Sequence, residues 1–170
     1  MDSYDLAVEY LDQLQMHKIK LGLEPMRDFL QQAGSPHEKL KFIHVAGTNG
    51  KGSVCASLMG ILRKAGYRVG LYTSPHLSNV RERFRLDDSY ISKEEFSAII
   101  HQIRVVLGEN KITYFECTTA LALLWFAEKK PDIVLLETGM GGRLDATNVV
   151  TPMVSIITQI GIDHEQYLGT

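Results

Sequence analysis

Cysteine is almost missing from this chain: Cys55 and Cys117 are the two among 170 residues. Two isolated thiols make neither a disulfide framework nor a zinc site, and each reads as a small buried residue on a helix. Long apolar runs are also missing, none approaching the ~20 residues that span a bilayer. A surplus of one charge is lacking too, with a formal net charge of −2, which argues against bulk nucleic-acid binding. The opening MDSYDLAVEYLDQ is acidic and amphipathic, unlike a signal or transit peptide. No repeat, low-complexity tract or linker suggests a domain boundary. What remains, 45% hydrophobic and 22% charged, suits one soluble globular domain with a real core, expected in a reduced, cytoplasmic setting.

The chain is organised around KFIHVAGTNGKGSVCASLMGILRKAG, residues 41–66. Phe42, Ile43, Val45 and Ala46 make an apolar run too short for a helix. Gly47, Gly50 and Gly52 follow, with Lys51 among them. From Ser53 the period becomes helical, through Val54, Leu58, Ile61 and Leu62, with Gly66 as the stop. Glycines let backbone N–H groups converge on an anion, and a helix N-terminus adds unpaired donors and a positive dipole end. Thr48, Asn49, Gly50, Lys51, Gly52 and Ser53 are therefore the candidate nucleotide-binding residues. Lys51 is placed to reach terminal phosphates and Ser53 to face Mg2+. The fit to a phosphate loop is imperfect: the first glycine position falls on Val45, and Gly52 replaces the hydroxyl residue after the lysine. The spacing excludes G-x-G-x-x-G.

Around this unit, residues 3–16 read as a helix with Leu6, Tyr10, Leu11 and Leu14 on one face. A short helix is expected over 25–33 and a second strand over 67–72. The polar stretch LSNVRERFRLDDSYIS is expected to be extended, with Arg81, Arg83 and Arg85 on one side and a turn at Asp87-Asp88. Ser92 and Glu95 form a capping box for a helix to about Leu107. Residues 113–115 are expected to be extended, 117–130 helical, 133–136 a buried strand ending at Glu137, and 153–158 another buried strand. Apolar strands alternating with helices predict an α/β fold, a three-layer mostly parallel sheet with helices on both faces.

In such sheets ligands sit beyond the carboxyl ends of the strands. Four strands end in polar groups: residues 47–53, Thr73-Ser74-Pro75-His76, Glu137, and Asp163-His164. Glu137 is the sharpest, because a carboxylate after four apolar residues is costly to bury unpaired. A Mg2+ on nucleotide phosphates is a natural partner; capping a loop or pairing with Arg143 is the alternative. His164 suits a metal ligand or a hydrogen bond to Asp163. Ser74 can offer a hydroxyl to the metal, or simply serve a Ser-Pro turn. His17, His37 and His101 are expected to be exposed, and His44 to be a satisfied strand neighbour.

The run IHVAGTNGKGSVCASLMGILRKAG resembles the first signature of folylpolyglutamate synthases, relatives of the Mur ligases. LLETGMGGRLDATNVV resembles their second, and YTSPHL, NVRERF, TYFECTTALAL and ITQIGIDHEQYLGT follow in the family's order. The resemblance covers nearly the whole chain. It implies a P-loop-like Mur ligase ATPase domain and an ATP- and Mg2+-dependent amide ligase, whose partners are a folate (tetrahydrofolate or dihydropteroate) and L-glutamate. A folate carboxylate would be phosphorylated and the acyl phosphate attacked by glutamate. By position, Ser74, Glu137 and His164 match the family's metal ligands, and Lys51, Glu137 and His164 become the expected catalytic set. The stretch after Ser74 resembles a mobile loop near the pterin site. Family members are much longer. The resemblance therefore implies that residues 1–170 are the N-terminal part of the ATP-binding domain, without the glutamate-binding domain, inactive alone and prone to self-association through exposed apolar surface. The whole enzyme is expected to be monomeric. A nucleotide-binding or NTPase module without ligase activity is the competing reading.

Overall fold

The computed structural model describes residues 3–15, 22–163 and 166. Among the described residues six strands form one sheet: β1 (Phe42–Ala46), β2 (Val69–Tyr72), β3 (Phe84–Leu86), β4 (Ser89–Tyr90), β5 (Ile133–Glu137) and β6 (Val154–Ile157). Their order is β4-β3-β2-β5-β1-β6. β2, β5, β1 and β6 run parallel, while β3 and β4 add antiparallel to the β2 side. The expected α/β architecture is present.

The described residues form five α-helices: α1 (Ser3–Gln15), α2 (Glu24–Gln32), α3 (Lys51–Lys64), α4 (Lys93–Leu107) and α5 (Tyr114–Lys129). Strand alternation divides the core in two. On one face Ile43, Val45, Val69, Leu71, Ile133 and Leu135 pack against Cys55 and Met59 of α3. On the other, Phe42, Tyr72, Val134 and Leu136 meet α5, which α1, α2 and α4 enclose. α5 is apolar all round because it is buried all round, with Cys117 through Phe126 under other layers. Both cysteines are free and buried. Among the described residues no helix is long and apolar enough to cross a membrane.

Several expectations shift. α1 buries Tyr4, Ala7, Leu11 and Leu14, while Leu6 is half exposed. The 3,4,3 spacing of the observed set is the true helical stripe. α3 begins at Lys51 rather than Ser53, since Gly50 supplies the left-handed turn into it. Residues 113–115 are not extended. Thr113 caps α5, its hydroxyl accepting from the Glu116 N–H while the Glu116 carboxylate accepts from the Thr113 N–H. The arginine stretch is not one strand: Val80–Arg83 is a 3-10 turn before the β3–β4 hairpin, so the three arginines diverge. β6 is an open edge, not a buried strand, with Val154 and Ile157 exposed. His37 is half-buried rather than exposed, whereas His101 is exposed; His17 lies outside the described residues.

Close packing makes a test at one strand glycine. A Cβ on Gly70 would lie 2.8 Å from Cε1 of the buried Phe126 ring. Gly70→Ala is expected to destabilise the chain by ~1–3 kcal/mol through overpacking. Gly60, whose Cβ would meet nothing within 4 Å, is the control. Gly60→Ala is expected to stabilise α3 by ~0.5–1 kcal/mol. Urea melts of both variants decide it.

Candidate active site

β1 feeds the glycine loop directly. Gly47 (φ 134°) and Gly50 (φ 84°) occupy backbone regions that disfavour side chains. A Cβ on Gly47 would also fall 2.0 Å from Thr158 Oγ1. That close approach lets the chain after β6 staple the loop. The Thr48 N–H donates to Gln159 O at 2.8 Å, the Gly161 N–H donates to Thr48 Oγ1 at 3.0 Å, and Thr158 Oγ1 donates to Asn49 O at 2.7 Å. Gly50, the N-cap of α3, has no side chain to bond the first-turn N–H groups. Lys51 Nζ donates to the carbonyls of Gly47 at 2.8 Å and Thr48 at 3.2 Å.

Glu137 closes β5 and is 5% exposed. Alternation points it to the α3 face, where its Oε1 would lie 3.6 Å from a Cβ on Gly52. That is an ordinary van der Waals distance, so position 52 of α3 lies directly against the carboxylate. Glu137 Oε2 accepts from the Ser74 N–H at 3.1 Å. Burial pushes the Glu137 carboxyl above its usual range, against the Ser74 hydrogen bond and the charges of Lys51 and Arg83. None of the ion pairs among the described residues joins Glu137 to Arg143.

Three strand ends expected on one rim therefore meet: the Lys51 loop, Ser74 and Glu137. His164 lies outside the described residues, and Asp163 beside it is exposed. Among the described residues no three of His, Cys, Asp and Glu gather to hold a metal. The residues present still fit a hard cation with oxygen ligands. Ser74 is half-buried and carries a hydroxyl, and its backbone N–H engages Glu137 through Oε2.

The sequence reading missed a second polar group. Asp145 is buried and accepts from the N–H groups of Gly139 at 2.9 Å, Met140 at 2.7 Å and Thr147 at 3.0 Å, and from Thr147 Oγ1 at 2.5 Å. It folds the loop after Glu137 around itself. His44 Nε2 lies 2.8 Å from Thr147 Oγ1. Because a carboxylate only accepts, the threonine proton goes to Asp145 and His44 donates. The D-x-T spacing after a glycine run was the available signal.

His44 is thus the satisfied strand histidine expected. Burial lowers its pKa, partly opposed by Asp145. A histidine held below its unfolded value leaves stability intact above the unfolded pKa and loses it as pH falls. Between about pH 7.5 and about pH 5.5, His44→Gln is expected to lose less stability than the parent in urea melts. Some slope will persist, because burial also lowers His37 and His76.

The Mur ligase middle domain model matches residues 45–170. The chain is 44% identical over 158 residues to a dihydrofolate synthase/folylpolyglutamate synthase of Bacillus subtilis, covering 89% of this chain and 37% of that protein. It is 41% identical over 162 residues to the Escherichia coli protein of the same description, covering 95% and 38%. A structure of Escherichia coli FolC in complex with DHPP and ADP superposes with a TM-score of 0.93 at 39% identity, over 98% of this chain and 40% of that one. A folylpolyglutamate synthase from Thermotoga maritima superposes with a TM-score of 0.87 at 46% identity, over 95% and 39%. The chain spans about two fifths of the length of these relatives.

Proposed function

Because this chain belongs to the Mur ligase family, we propose that it is the nucleotide-gripping part of an ATP-dependent ligase that joins L-glutamate to a folate. The observation that carries this reading is the meeting of Lys51, Ser74 and Glu137 at one rim, beside α3 N–H groups without a Gly50 side-chain cap. Residues 1–170 form part of the ATP-binding domain. The reaction breaks the β,γ P–O bond of ATP, passes the γ-phosphoryl group to a folate carboxylate oxygen and releases ADP. The glutamate nitrogen then attacks the acyl carbon, loses a proton and expels phosphate. Tetrahydrofolate and dihydropteroate are the candidate acceptors, and the cytoplasm, which supplies ATP, is the expected compartment.

The chain's own residues divide this work. Asn49, Gly50, Gly52 and Ser53 wrap the phosphates through backbone N–H groups, the geometry that glycine loops and helix N-termini provide, while Thr48, its N–H given to Gln159, holds the loop in place. Lys51, whose ammonium lies over the loop on the carbonyls of Gly47 and Thr48, brings its charge to the transferring group. Ser74 and Glu137, with His164, would hold Mg2+. When bound, that ion would offset the phosphate charge during transfer.

Two measurements check this. Calorimetry should show the chain binding Mg-ADP, with Lys51→Ala weakening binding at least ~10-fold; since each tenfold is about 1.4 kcal/mol, unchanged affinity would remove the phosphate role. Protein of the relatives' full length, given ATP, Mg2+, a reduced folate and glutamate, should lengthen the folate as ADP appears. ATP hydrolysis indifferent to both folate and glutamate would leave only a nucleotide-hydrolysing module.

A further inference from the structure

A loop that holds an anion through its N–H groups must keep its carbonyl oxygens turned away, because each oxygen presents partial negative charge. The glycine loop meets that demand with donors from two places. Lys51 Nζ takes the carbonyls of Gly47 and Thr48. Thr158, just beyond β6, takes the other two: its N–H donates to Ala46 O at 2.8 Å, and its Oγ1 lies 3.2 Å from Ala46 O and 2.7 Å from Asn49 O. A hydroxyl has one proton to give. Ala46 O already receives the Thr158 N–H, and the Asn49 contact is the shorter, so the proton goes to Asn49 O.

That one bond fixes more than a carbonyl. The peptide unit is planar and trans, so the oxygen of Asn49 and the N–H of Gly50 point in opposite directions from the same plane. Holding the oxygen aims the N–H. The Gly50 side of this peptide is the loose one, because glycine at φ 84° accepts either orientation of the preceding unit at little cost. Thr158 is held in turn. Ala46 pairs with Ile157 in the β1–β6 ladder, and the hydroxyl occupies the space that a Cβ on Gly47 would fill, 2.0 Å from that position. The Gly161 N–H and carbonyl both meet Thr48 Oγ1 at 3.0 Å, which anchors the chain beyond Thr158 to the same loop.

We propose that Thr158 is a positioning residue for phosphate binding: its hydroxyl holds the Asn49 carbonyl and thereby points the Gly50 N–H at the phosphates. Thr158 acts through the loop, without touching the nucleotide, and the assignment rests on the nucleotide reading above. Glycine at position 47 is then required by the hydroxyl as much as by the turn.

The test is calorimetry of Mg-ADP binding by the chain, with urea melts of each variant alongside. Thr158→Val keeps the shape and removes the hydroxyl; it should weaken binding at least ~10-fold, the lower end of what a hydrogen bond to a charged group is worth. Thr158→Ser keeps the hydroxyl and should stay within about threefold of the parent. In amide NMR spectra the Gly50 N–H of the parent should shift on adding Mg-ADP, and that shift should be lost in the valine variant and kept in the serine variant. A valine variant that melts earlier yet binds like the parent would make Thr158 a structural strut and overturn the proposal, leaving the nucleotide reading in place. Equal weakening by valine and serine would overturn it too, since the hydroxyl would not be the cause. If the valine variant does not fold, the parent decides: a Gly50 N–H unmoved by Mg-ADP that does bind would refute the aiming role. A parent that binds no Mg-ADP would sink both readings.

Discussion

A carboxylate that must be buried where a parallel strand leaves the core governs the arrangement around it. Glu137 follows Ile133 to Leu136 out of the sheet interior and remains 5% exposed. A charge there is tolerated only with partners. The Ser74 N–H supplies one, which ties the end of β2 to the end of β5. Gly52 places the start of α3 against the carboxylate, which ties in the end of β1. Lys51 lowers the cost electrostatically from its place on the loop carbonyls. These partners still leave the carboxyl above its usual range. A cation held as proposed above would offset that residual penalty.

Much of this was legible in the chain because parallel sheets impose it. Apolar runs at 42–46 and 133–136 had to be interior strands, and interior parallel strands put their carboxyl ends together. That reasoning brought Lys51, Ser74 and Glu137 to one rim without any coordinate. Where local periodicity was the only guide, it slipped. The 113–115 segment reads as extended only if Thr113 is taken as a strand residue; paired with Glu116 it is a capping box. The edge position of β6 was not legible at all. Val154, Ile156 and Ile157 carry strand propensity whether or not a neighbour covers them.

Long-range polar contacts were the other blind spot, and they set the shape of the site. Thr158 reaches Asn49 across 109 residues, and His44 reaches Thr147 across 103. Neither end of such a pair announces the other. Thr158 holds the phosphate-type loop against the chain after β6, while Asp145 gathers the loop after β5 around its carboxylate. Both loops are thereby fixed by groups that need not touch a ligand, and fixed loops keep converging N–H groups in place before an anion arrives. The ordering entropy is then met on folding rather than on binding.

The antiparallel hairpin adds a second kind of asymmetry. The α3 face carries the glycine loop, Lys51 and Glu137, all groups suited to phosphate and its counter-ion. The opposite face, with α1 and the start of α5, carries Arg83, His76 and Tyr114 beside an open cavity. The turn containing Ser74 passes between these two environments. Its N–H holds Glu137 on one side, and the Thr73 N–H beside it bonds the Arg83 backbone on the other.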